Sequence, residues 1–177
     1  MNQMKSGRMI AALVMSIALC TAHTAASADP DEAFTAYLKS DYATAFKLYH
    51  DRALNGDVAA QGMLGSLYAY GRGVKQDDAQ AVYWFQKLAD QGIAKGQFAL
   101  GEMYLTGRGV PQDYKRAAQL FRSAAAQGEP LSAFWLGKLY EQGQGVPKDP
   151  PQAAYWKKKS DENMTDFSNV LPPQLQK

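Results

Sequence analysis

Past residue 28 this chain has no cysteine, a single histidine and no net charge. Cys20 is the only cysteine of the 177 residues. Its absence downstream excludes structural disulfides, a thiolate nucleophile and a thiolate metal site there. His50 has no second histidine with which to form a metal pair. The whole chain carries 19 basic and 17 acidic residues, and Lys5 and Arg8 are the only charges ahead of Asp29, so the remainder holds 17 of each. The sequence pI near 8.5 is therefore no sign of nucleic-acid or anionic-lipid binding, since a neutral surface does not steer either partner. Long apolar stretches are also missing. The run Met9 to Cys20 has 12 residues, too few to cross a hydrocarbon core of about 30 Å.

What the first 28 residues do have is the three-part plan of a secretory leader. Lys5 and Arg8 precede the apolar run, and "AASADP" follows it, with Ala26 and Ala28 forming an A-x-A site. This predicts a leader over 1–28, cleaved before Asp29, and a mature protein that is periplasmic or secreted with no stable membrane insertion. Leu19 is too large for the small residue that precedes a lipoprotein cysteine.

The rest is organised by repetition. "YGRGVKQDD" at Tyr70 returns as "TGRGVPQDY" and again as "QGQGVPKDP", each 36 residues on. Leu64-Gly65 becomes Leu100-Gly101 and Leu136-Gly137. Tyr68 becomes Tyr104 and Tyr140, and Ala81 becomes Ala117 and Ala153. Residues 57–92 and 93–128 agree at 15 of 36 positions. Asp41 and Ala45 extend the register upstream into a half unit.

Each unit reads as two helices. Ala60, Leu64, Leu67 and Tyr68 recur at helical spacing and form one apolar face. Only small residues stand at the position of Ala60, Gly96 and Ser132, as close helix contact requires. The paired glycines Gly71/Gly73, Gly107/Gly109 and Gly143/Gly145 release the chain from the first helix. Asp77, Asp113 and Asp149 are placed to cap the second, and Pro150 and Pro151 are tolerated in its first turn. Ala81, Trp84, Phe85 and Leu88 give the second helix its apolar face, and Gln91-Gly92 ends it. Neither helix buries that face alone, so stacked copies make a solenoid.

These residues resemble the Sel1-like repeat family, relatives of the tetratricopeptide repeats. Leu64, Gly65, Tyr68, Gly71, Gly73, Val74, Asp77, Ala81, Trp84 and their equivalents carry the likeness over about 41–160. Leu120 departs from it where a tryptophan is usual, and Pro151 with Lys157-Lys158-Lys159 marks the third unit as an edge. The resemblance implies an all-α, right-handed α-solenoid. The expected organisation is a capping helical pair over 29–56, repeats over 57–92, 93–128 and 129–160, and a disordered tail over 161–177. Pro172-Pro173 in that tail could adopt a polyproline II helix.

No catalytic constellation is present. His50 shares its position with Gln86, Arg122 and Lys158, which indicates a solvated face. The glycine turns lack the lysine and preceding strand of a phosphate loop. The capping aspartates fall one per repeat, too far apart to share a proton. We therefore expect no enzyme activity, no cofactor and no metal. A cysteine-rich branch of the family is associated with penicillin binding or β-lactamase activity. A cell-wall or β-lactam-binding protein is accordingly the alternative, weakened by the missing cysteines.

The resemblance implies an exported module, in a bacterium a periplasmic adaptor or regulator, that presents a concave groove to a protein or peptide. Helical rotation of about 100° per residue puts positions 62, 66 and 69 opposite the apolar stripe, with 59 and 70 flanking. The candidate contacts are Tyr70, Phe98, Glu102, Leu105, Phe134, Trp135 and Lys138. Phe98 and Phe134 also suit packing between helices, and Trp135 has no tryptophan counterpart at Met63 or Ala99. The partner's identity and the oligomeric state are left open.

Overall fold

The computed structural model describes residues 30–170; the expected leader and Pro172-Pro173 lie outside them. Among the described residues there are eight helices and no strand: α1 (Pro30–Leu38), α2 (Tyr42–Leu54), α3 (Val58–Tyr70), α4 (Asp78–Asp90), α5 (Ala94–Thr106), α6 (Tyr114–Ala125), α7 (Pro130–Gln142) and α8 (Pro150–Val170). Each packs chiefly on the helices before and after it in sequence, which is the solenoid that the repetition predicts.

The helix starts follow from the expected carboxylates. Asp77 accepts from the Gln80 amide at 3.0 Å, Asp113 from Arg116 at 2.9 Å and Asp149 from Gln152 at 3.0 Å. Asp57 caps α3 through the Ala60 amide at 2.9 Å, and Glu129 caps α7 through the amides of Leu131 and Ser132. Helix α5 has Ile93 at its N-cap and no side-chain cap. Each cap satisfies an amide that has no intrahelical acceptor, a contribution of about 1 kcal/mol.

The two glycines of each turn do different work. Gly71, Gly107 and Gly143 take φ of 63°, 71° and 73° as left-handed caps of α3, α5 and α7. Gly73, Gly109 and Gly145 instead lie against the backbone of Tyr42, Asp78 and Tyr114, at the start of the preceding unit's second helix. A Cβ there would overlap that backbone. The second glycine therefore sets the distance between neighbouring units.

The glycine after each repeated leucine also serves packing. The rings of Phe85 and Phe121 occupy the space a Cβ on Gly65 or Gly101 would need. Leu64, Leu100 and Leu136 are fully buried beside them, each stabilising by about 2 kcal/mol. The core is continuous but segmented. One cluster gathers Ala33, Tyr49, Leu64, Leu67 and Trp84, the next Phe85, Leu100 and Met103, and the last Ala117, Phe121, Leu136 and Leu139.

A disordered tail was expected over 161–177; α8 runs on past Asp161 to Val170, and residues 171–177 lie outside the described ones. Lys158 and Lys159 both pair with Glu162 at helical spacing, at 3.8 and 2.8 Å. Buried Ser160 donates to the Pro130 carbonyl at 2.9 Å, tying α8 to the start of α7. Polar composition alone suggested a loose tail, but the segment contains no glycine or proline to end the helix.

Candidate functional site: the outward strip of α3, α5 and α7

The first helix of each unit turns one face to its own second helix and another away. The away-facing positions were expected to include Ala69, which is in fact buried at 5% exposure in the second core cluster. The reason is its packing with Phe85 and with Leu100 and Met103 of the following unit. Arg108 reaches back one unit, donating through Nη2 to the Ala69 carbonyl at 2.6 Å and to Asp78 Oδ1 at 2.6 Å, with Nε on Asp78 Oδ2 at 3.2 Å. Arg72 makes the corresponding reach to α1, donating to the Tyr37 hydroxyl at 2.5 Å and lying over the rings of Tyr37, Tyr42 and Tyr70. The turn arginines are thus clamps between units. Their partners lie 30 to 39 residues away, beyond the reach of local sequence signals.

The candidate contacts separate into two sets. Phe98 is half-buried, its ring 6.0 Å from Phe121. Leu105 and Trp135 are also half-buried and rest on the third core cluster. Tyr70 and Phe134 remain open at 68% and 39%. Phe134 occupies the register of Phe98, yet only Phe98 has an aromatic lid. The lid position is held by Phe85, Phe121 and, in the last unit, Lys157. Phe134 packs edge-on to Trp135 instead, at 5.5 Å. That Phe-to-Lys change at 157 is the signal in the sequence that Phe134 would be left uncovered. Lys138 pairs with Glu141 at 2.9 Å.

Glu102 sits between these aromatic groups along the array and is half-buried. Burial pushes its carboxyl above the usual range. The nearby Glu129 carboxylate adds to this and Arg108 opposes it. Asp78 behaves oppositely: the hydrogen bonds from Arg108 hold it below the usual carboxylate range. Glu129 was not among the expected site residues. Its role as the cap of α7 places it beside α5.

His50 is half-buried, with its ring 5.8 Å from Phe46 and Nδ1 3.6 Å from Asp51. Among the described residues no cluster of His, Cys, Asp and Glu could hold a metal ion, and no helix is long and apolar enough to cross a membrane.

The array is matched by solved structures. A protective antigen of uropathogenic Escherichia coli displaying an SLR fold is 36% identical, with a TM-score of 0.67 over 73% of this chain and 29% of its own. A Sel1 repeat protein from Oxalobacter formigenes is 28% identical, with a TM-score of 0.70 over 78% of this chain and 58% of that one. Helicobacter pylori cysteine rich protein B is 25% identical, with a TM-score of 0.54 over 71% of this chain and 96% of that one. This chain thus spans under a third of the Escherichia coli antigen and under two thirds of the Oxalobacter protein. No curated protein matches the chain. The model of the Sel1 repeat matches residues 58–93, 94–129 and 130–160, one residue later at each start than the boundaries expected from the spacing. Those three matches cover more than half of the sequence, and the chain belongs to the Sel1 repeat family.

Proposed function

We propose that the protein is an exported adaptor or regulator that holds a protein or peptide along the strip of α3, α5 and α7 and performs no bond chemistry. Sel1 repeats are in general protein–protein interaction modules, which supports the class of function. The observation that carries the site is Phe134, an aromatic ring 39% exposed on rigid helix α7, edge-on to Trp135 and flanked by the Lys138–Glu141 pair. An aromatic anchor ringed by polar groups is the usual composition of a protein contact. Export rests on the basic, apolar and small-residue order of residues 1–28.

The test is a crosslinking pull-down from the cell envelope with wild type and with the double variant F134A/K138A, read by mass spectrometry. One dominant protein is expected with wild type and loss of it with the variant, at unchanged helicity. Equal capture by both proteins removes the strip from consideration.

A further inference from the structure

Glu102 is anomalous among the acids whose side chains are described. Asp41, Asp57, Asp77, Asp113, Glu129 and Asp149 cap helices. Asp78 and Glu141 are held by Arg108 and Lys138. Asp51 and Asp90 meet His50 and Gln86. Asp161 and Glu162 are engaged as well. Glu32, for which no partner is seen among the described residues, is exposed, and the side chains of Asp31 and Asp166 lie outside the described ones. Glu102 is half-buried, and no hydrogen-bond donor meets its carboxylate among the described residues. Partial loss of water around an ionised group without a donor is unfavourable. Nothing in the packing of α5 demands one, since the same register holds Ser66 in the unit before and Lys138 in the unit after.

The charges around it leave a net negative point on the strip. Glu129 is occupied in capping α7 and repels Glu102. Arg108 is the nearby cation and partly offsets this, but its Nε and Nη2 donate to Asp78 and to the Ala69 carbonyl. Lys138, one unit along, is neutralised by Glu141. On either side along the array stand the exposed rings of Tyr70 and Phe134.

We propose that Glu102 receives a lysine or arginine side chain of an extended peptide segment, whose apolar neighbours lie on Tyr70 and Phe134. This rests on the strip being the docking surface. A cationic head supplies the missing counter-charge, and its alkyl stem suits the apolar flanks.

Selection from a library of random short peptides displayed on phage, against the full protein, tests it. Peptides retained by wild type are expected to be rich in Lys or Arg beside apolar residues. Individually synthesised winners should bind E102Q about tenfold more weakly, as loss of a partly buried charge contact implies. Their wild-type affinity should fall more steeply with added salt than their affinity for E102Q. Winners that bind E102Q as tightly as wild type but fail on F134A/K138A overturn the Glu102 assignment and leave the strip standing. Winners indifferent to both variants, or no winners at all, overturn the strip and the assignment together. Circular dichroism of E102Q controls for folding.

Discussion

Gly109 lies directly on the backbone of Asp78, 31 positions upstream, so closely that a β-carbon would overlap the Asp78 carbonyl. Arg108, the adjacent residue, grips the Asp78 carboxylate. One dipeptide thereby sets both the spacing and the orientation of two units.

The spacing role predicts unequal costs for two glycines of similar φ. Gly92 has φ 76° with open space around its missing Cβ, while Gly109 has φ 69° and no space. G92A should cost only backbone strain, about 1 kcal/mol. G109A should add overpacking against main chain, for about 3–4 kcal/mol in all. Urea denaturation of both variants measures the difference, and equal midpoints would refute the contact.

The orientation role predicts that R108A is destabilised by about 1 kcal/mol, the value of a partly exposed pair plus a hydrogen bond. The effect depends on pH. Asp78 has a folded pKa below its ordinary 3.8, so its contribution is present above that pH and disappears as pH falls through the folded value. Denaturation of wild type and R108A at neutral and strongly acidic pH should show the gap closing in acid.

Glu102 has the opposite sign. Its folded pKa is raised above 4.5, so the protonated form is favoured in the fold. The penalty is absent below 4.5 and appears as pH rises through the folded value. E102Q should therefore be more stable than wild type at neutral pH and equal to it near pH 4. Thermal melts across that range decide it; an unchanged or lower neutral midpoint would contradict the desolvation of this carboxylate.

The aromatic lid predicts a contrast between phenylalanines. Phe121 is fully buried at 0% exposure over Gly101, so F121A should cost about 4 kcal/mol. Phe134 has no such lid, and F134A should cost about 1 kcal/mol or less. Chemical denaturation of the pair checks the assignment, and it matters because the binding tests rely on F134A remaining folded.

The period of 36 residues, with its glycine pairs and aspartate caps, was enough to identify eight helices as a linear stack. Those signals are local: a cap bonds amides within one turn, and a left-handed exit needs a particular residue at a particular place. Leu64, Leu100 and Leu136 were legible as core because apolar spacing repeats in three copies. The end of α8 was not legible, since a polar helix held by Lys–Glu pairs and one buried serine reads by composition as a loose tail.

The strip was legible as a set of positions but not as a surface. Helical phase placed Ala69 outward, and it is the neighbouring unit's Leu100 and Met103, packed with it in one cluster, that cover it. Phase also gave Phe98 and Phe134 the same standing, and what separates them is whether Phe121 or Lys157 arrives from the following helix. The isolation of Glu102 depends in turn on where Arg108, Lys138 and Glu129 find their partners. Sequence by itself determined the repeat, its helices and its turns, because their causes lie within a few residues of each other. Tertiary structure alone decided which side chains are covered and which charges are answered, because those contacts join residues about 30 positions apart.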